Sequence, residues 1–341
     1  MATCYRLLPL VLLAALPTAV LSAETSPKAA APNADQQQRI RQALATIRLP
    51  KTPLERRVKT AYELVAIGRA GVSAFNDYLD KDLARLKAQV KDPPSTAALD
   101  EKIEKLRKTL ADLRALDDLS KEQLKDSGLP ALDELTAVYG QREGTLRLHY
   151  AGMAKVAAQL QPLIEFLKRL ETPGEKEKAF PVPVRVYRKE AEELLAQVTQ
   201  PVDEKIRSVL EENVKIGQGL PPDVVEGMRG LNAMRIMCGV QALRIDLKLC
   251  EAARGHSADM EANNFFAHDS PLPGKKTPWD RAAKAGTTAS GENIYAGGST
   301  AVDAIKAWFL SPGHHKNMLG AGQTRQGLGR VGKHWTQMFG H

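Results

Sequence analysis

All three tryptophans (Trp279, Trp308, Trp335) lie after residue 275, six of the seven histidines after residue 255 and 16 of the 25 glycines after residue 225. The stretch 24–225 holds no Trp, no Cys and a single His, His149. A step this sharp predicts two unlike parts. The boundary is expected near 215–228, where Gly217-Gln-Gly219-Leu-Pro221-Pro222 supplies residues unsuited to a helix interior. A length of 341 residues asks for about two domains on its own account. With 43% hydrophobic and 26% charged residues, a wholly disordered chain is excluded, and three cysteines exclude a disulfide-rich mini-scaffold. The net charge of +8 permits an anionic partner but does not call for nucleic acid.

The chain starts like an exported protein. Arg6 precedes an apolar run from Leu7 to Leu21, broken by Pro9 and Pro17, and small residues Ser22 and Ala23 offer a cleavage site. The run is shorter than the roughly 20 apolar residues of a spanning helix, so residues 1–23 are expected to be a cleaved signal peptide rather than an anchor. Cys4 then leaves with it, and no stable transmembrane segment is expected afterwards. Residues 24–39, rich in Pro and polar residues and without an apolar period, are expected to be a flexible leader.

Residues 40–215 read as a mainly α-helical region. Leu79, Leu83, Leu86 and Val90 recur at spacings of four, three and four, and Leu99, Ile103, Leu106, Leu110 and Leu113 repeat the pattern. Such spacing puts each set along one seam of a helix, and Asp92-Pro93-Pro94-Ser95 separates the two runs. The economical expectation is an antiparallel, partly coiled-coil hairpin with its seams facing each other. A long helix follows over 131–170, with Gly140, Gly144 and Gly152 as points of interruption. Phe180–Tyr187, with its alternating prolines, is expected to be extended, and helix resumes over 189–213. Charges along these helices are of mixed sign and not interleaved with aromatics, so no nucleic-acid surface is expected. His149 stands apart from any catalytic pattern and is expected to be structural.

The chemistry is concentrated in 226–341. Leu249, Ala253, His256 and Met260 share one helical face, which makes His256 a buried, hydrogen-bonded core residue. Phe265–Pro271 is a loop. Thr277 caps a short helix opened by Pro278, Gly291–Tyr295 begins a strand, and Thr300–Asp303 forms a capping box. Ser311-Pro-Gly-His314-His315 turns into another short helix, and two strands close the chain. Cys238 and Cys250, twelve positions apart, have two readings. One is a bridge favoured by oxidising surroundings, stabilising by about 3 kcal/mol, and the other is a pair of small buried hydrophobes.

Six pieces in order resemble the CAP superfamily, the family of cysteine-rich secretory proteins, antigen five and pathogenesis-related proteins, in its bacterial secreted branch. They are the Asn232-to-Asp246 opening, Ala253–Met260, Phe266-Ala-His268, Gly291-Glu-Asn293, Trp308 with Ser311-Pro-Gly-His314, and Trp335–Gly340. The resemblance covers the last third only. It implies an α+β chain in which a C-terminal α/β/α sandwich over 226–341 follows the helical region. It also implies a surface cleft: His268, Glu292 and His314 match the family's cleft residues, and Ser311 stands where a second acidic residue would be. His315 offers a further imidazole beside it.

Two imidazoles and a carboxylate suit Zn²⁺ or another divalent metal, with His268 and His314 as ligands. The competing reading is a hydrogen-bonded cluster that positions loops. Spacings of 24 and 22 residues carry no signal by themselves. Two functions follow. The first is an exported, non-catalytic binding module, secreted or held in the periplasm or cell envelope, for a lipid, glycan or peptide ligand or an envelope protein. The second is a metal-dependent hydrolase of envelope polymer or peptide, with Glu292 as the catalytic base.

Overall fold

The computed structural model describes residues 31–48, 51–175 and 177–341. The expected signal peptide lies outside them. By internal contacts the described residues form two compact units, one of those up to Lys81 with Arg169–Pro183, the other of Asp82–Lys168 with Val184–His341.

The smaller unit begins with α1 (Ala34–Arg48), so the last six residues of the expected leader are helical. Asn33 and Gln36 start the helix by exchanging side-chain-to-backbone hydrogen bonds of 2.8 and 3.1 Å. α2 (Leu54–Val65) follows, then the first part of α3 (Arg69–Lys87). Ile47, Val58, Ala61, Leu64 and Phe75 are buried here, and the Phe180 ring stands edge-on to Tyr62 and Phe75 at 5.1 and 5.2 Å.

In the larger unit α4 (Ala97–Ala115) carries the second leucine seam. α5 (Lys121–Gln123) runs through a π-turn at Leu124–Gly128 into α6 (Leu129–Glu171). The three glycines do not interrupt α6: the helix runs unbroken through them, and each faces open space. α7 (Val184–Val198) starts four residues inside the stretch expected to be extended. Val184, Ala191, Leu194 and Val198 form a buried stripe that overrides the proline signal directly after Pro183. The single helix expected over 189–213 is two: Pro201 cannot donate, and the Asp203 side chain caps α8 (Glu204–Gly217) at Lys205 and Ile206.

The expected facing of the two leucine seams gives way to another arrangement. Ile103, Leu106 and Leu110 of α4 join Leu132, Leu135 and Val138 of α6 in one core with Val224, Met228 and Leu231 of α9 (Pro222–Met237). Trp308 and Phe309 complete it. Arg107 adds hydrogen bonds to the carbonyls of Met237 and Ile236 at 2.7 and 3.1 Å. A leucine stripe specifies burial but not its partner, and here the C-terminal third supplies the larger apolar surface. The step at 215–228 therefore marks a change of composition within one compact unit.

The C-terminal third is an α/β/α sandwich. Its strands are β1 (Arg244–Ile245), β2 (Gly291–Ala296), β3 (Arg325–Val331) and β4 (His334–Gly340), in the order β1-β3-β4-β2. β1 runs parallel to β3, and the other pairings are antiparallel. Period-two alternation in β4 splits the layers. Trp335 and Phe339 enter the core with α9 and α12 (Ala301–Phe309), while Met338 meets α10 (Leu247–Ala262). On that second face the Ser257 hydroxyl of α10 donates to the Gly329 carbonyl at 3.1 Å and accepts from the Thr336 hydroxyl at 2.9 Å. α10 lies so close to β3 that a Cβ on Gly327 or Gly329 would come within 2.3 or 2.1 Å of its backbone.

Both sheet edges are covered. Asn213 of α8 accepts from Ile245 N–H and donates to the Leu243 carbonyl at 2.7 and 2.8 Å, replacing a neighbouring strand beside β1. Along β2, Trp308 Nε1 and Asn317 Nδ2 donate to the carbonyls of Ile294 and Glu292.

Cys238 and Cys250 are both free and buried, which corrects the bridge reading. Cys238 ends α9 in the field of Arg107 and Arg114, whereas Cys250 lies on α10 against Leu328 of β3. Burial pushes each thiol up to about 11, so both stay protonated and unreactive.

Candidate functional site

The site forms where β2 meets the loop after α10 and the helices α11 (Pro278–Lys284) and α13 (Pro312–Leu319). Glu292 is the second residue of β2. Its pairing opposite Met338 turns its side chain to the α10 face of the sheet, where that side chain is 1% exposed. A buried carboxylate needs partners, and it has two. His268 Nδ1 lies 2.9 Å from Oε1, and Arg281 Nη2 donates to Oε2 at 2.6 Å. Since the carboxylate accepts from Nδ1, the open nitrogen of His268 is Nε2. That imidazole is 48% exposed and forms the wet side of the cluster.

Arg281 is placed by the cap of α11. Thr277 and Asp280 form a capping box, Pro278 holds the first helical position, and the next inward position after the box is Arg281. Its guanidinium donates to the carbonyls of His268, Lys275 and Lys276 as well as to Glu292. One side chain thus fixes the His268 loop and the carboxylate together. His256, fully buried as expected, holds the Ala267 carbonyl through Nε2 at 3.0 Å and lies 4.0 Å from Glu292. Burial lowers its pKa, with the Glu292 charge opposing, so the ring is neutral at pH 7.

His314 comes from the other layer, on the first turn of α13. Its ring lies 5.8 Å from that of His268, centroid to centroid. Asn293, which follows Glu292 and points to the opposite face, holds the His314 carbonyl at 3.4 Å, and Asn317 donates to Asn293 at 3.0 Å. Burial, and then the charge of His268, lowers the His314 pKa. No protein hydrogen bond to its ring nitrogens occurs among the described residues, so they are open to a ligand.

The structure therefore brings His268, Glu292 and His314 together. Ser311 sits at the N-cap of α13 without a side-chain capping bond. His315 is not at the cleft: its ring is fully buried against Phe309 and its Nδ1 donates to the Phe309 carbonyl at 3.0 Å. Consecutive helical residues point about 100° apart, so His314 and His315 cannot share a site.

Residues 228–339 match the family model of CAP, the cysteine-rich secretory protein family. The C-terminal third is a CAP domain. Among curated proteins it is 41% identical over 112 residues to the uncharacterized protein YkwD of Bacillus subtilis (32% of this chain, 43% of that protein). It is 33% identical over 108 residues to the uncharacterized membrane protein YlbC of the same species (32% and 31%). The chain spans less than half the length of these relatives.

Similar solved structures include an extracellular protein containing an SCP domain from Bacillus anthracis, with 31% identity, 41% of this chain and 44% of that chain covered, and a TM-score of 0.33. An outer surface protein of Borrelia burgdorferi has 18% identity, 35% and 91% coverage, and a TM-score of 0.31.

Within the CAP domain the donor set is short of a resident metal centre. Both Glu292 oxygens are engaged, Ser311 supplies no carboxylate, and two imidazoles remain. Among the described residues no three His, Cys, Asp or Glu side chains are grouped to hold an ion. Three protein ligands are usual even in an open zinc site, so these residues do not fit one. Sequence reading missed Arg281, which no family motif flagged. Its signal was positional: an arginine directly after a Thr-Pro-x-Asp cap, beside the buried Ala282.

Proposed function

We propose that the CAP domain is a non-catalytic binding module acting outside the cytoplasm, with its ligand seated on the open imidazoles of His268 and His314. The observation that carries this reading is the state of Glu292. Its side chain is 1% exposed, and both oxygens are committed to Arg281 and His268. A general base must reach the proton it removes, whereas this carboxylate orients an imidazole.

Fluorescently labelled peptidoglycan incubated with the full chain should be retained without release of soluble fragments. His314→Ala should lose retention while its melting temperature stays close to that of the parent. Fragments that accumulate with the parent protein and not with Glu292→Gln would establish the hydrolase instead.

Export rests on the Arg6 and Leu7–Leu21 pattern, and no helix among the described residues is long and apolar enough to cross a membrane. Protein recovered from its native host should begin between about residues 22 and 25. N-terminal sequencing that finds Met1 on the soluble protein would refute export.

A further inference from the structure

Two cations near the end of α9 have no carboxylate beside them. Arg235 is fully buried, and its guanidinium donates only to carbonyls, those of Gln241, Met318, Gly320 and Gln323. Carbonyl dipoles replace the lost water but leave the positive charge in place. Burial takes the Arg235 pKa down to about 10, and the nearby charge of Arg114 adds to the fall, so the group stays protonated at neutral pH. Arg114 itself is half-buried in the last turn of α4 and has neither a hydrogen bond nor an ion pair among the described residues.

Arg114 lines a groove of about 620 Å³, within the range of small-molecule sites. Arg107, Ala111 and Arg114, spaced by four and three along one face of α4, form one wall, and Cys238 with Gly239 at the end of α9 forms the other. Gly239 takes the left-handed conformation (φ +72°) after α9, and Arg107 lies across it to hold the last carbonyls of that helix. Arg107 is neutralised by Glu104, and the exposed Lys108 by Asp112, each at 2.6 Å. Arg114 and Arg235 remain as surplus charge. The Cys238 thiol feels the result: burial raises its pKa, and the charges that oppose this are Arg114, Arg107 and Arg235, with no acid among them.

We propose that this groove, built jointly by α4 of the helical region and by the CAP domain, is a second ligand site, for a small soluble molecule carrying a phosphate monoester. The Arg114 guanidinium, free of partners, presents paired N–H donors that fit two phosphoryl oxygens, and Arg235 supplies field without contact. Two surplus positive charges match a phosphate monoester, which carries close to two negative charges at pH 7, whereas a carboxylate balances only one. The site is separate from the His268–His314 cleft and does not depend on what binds there.

Glycerol phosphate titrated into the full chain in a calorimeter at low salt is the test. Saturable binding with a dissociation constant at or below about 1 mM is expected, with acetate at least about tenfold weaker. Inorganic phosphate should compete with the ester, because the groove reads the phosphoryl group. Arg114→Gln should weaken binding by about tenfold or more without lowering the melting temperature, since the side chain bonds to nothing and repels Arg235. Ala111→Glu places a carboxylate in the groove and should abolish binding; it decides the matter should Arg114→Gln fold poorly. His314→Ala should bind as the parent does. Absence of saturable binding, acetate binding as tightly as the ester, or binding lost in His314→Ala and kept in Arg114→Gln overturns the proposal. Flotation with phosphatidate vesicles checks the source: no retention is expected, and retention that Arg114→Gln abolishes would overturn the soluble ligand in favour of a lipid headgroup.

Discussion

Gly329→Val should destabilise the larger unit by more than about 3 kcal/mol, although valine is the better strand former. A Cβ at this position would lie 2.1 Å from the Arg254 nitrogen and 2.4 Å from its Cα. Those are backbone atoms of α10, so no side chain can rotate aside, and the helix itself must lift from the sheet. Overpacking typically costs about 1–3 kcal/mol where side chains can adjust, and β-propensity returns at most about 1 kcal/mol. Lifting α10 would also strain the Ser257 bonds to Thr336 and to the Gly329 carbonyl. A fall in melting temperature of roughly 6–12 °C follows for a unit of this size. Gly140→Ala on α6 is the matched control: its Cβ meets nothing within 4 Å, and the substitution should raise stability by up to about 1 kcal/mol. A Gly329→Val protein that melts with the parent would mean that α10 does not sit on β3 as described.

These two glycines show where the sequence could be read and where it could not. Gly140 looked like a helix breaker because a local rule says so, yet one glycine costs only about 1 kcal/mol and α6 runs through it. Gly329 looked like an ordinary strand residue, because the sequence says nothing of a helix laid across that strand. The same division runs through the rest of the fold. Thr277, Thr300 and the two closing strands were legible, since caps and period-two patterns are local. The partner of the Leu99–Leu113 seam was not, because any apolar face of the right width satisfies a stripe.

At the site, His268, Glu292 and His314 were legible only through the family motifs, being 24 and 22 residues apart. What holds the second oxygen of Glu292 is Arg281. That residue acts through a buried ion pair, which no spacing rule announces. His315 was misplaced because adjacency in sequence was read as adjacency in space.

The protein should lose stability as pH falls from about 6.5 to about 4, with His315 the largest single contributor. Burial takes its pKa down to about 4, and the hydrogen bond to Phe309 only partly opposes this. In the unfolded chain the ring titrates near 6.5. Between the two values the unfolded state binds a proton that the native state refuses, so unfolding takes up protons and stability falls with pH. The stability is fully present above about 6.5 and is lost by about 4, a difference on the order of 3 kcal/mol for one group.

His256 and His314, both lowered by burial, act in the same direction. The carboxylates held low by hydrogen bonds and cations, such as Asp100 beside Thr96 and Arg142, contribute only below the ordinary carboxylate range, so the upper part of the window belongs to histidine. His315→Gln separates the causes. Glutamine can still donate to the Phe309 carbonyl but does not titrate, so the slope of unfolding free energy against pH near pH 5 should fall by about one proton. Urea unfolding at a series of pH values reads that slope directly. An unchanged slope in His315→Gln would show that the ring is protonated in the folded protein, and hence that the Phe309 pocket admits water or an anion.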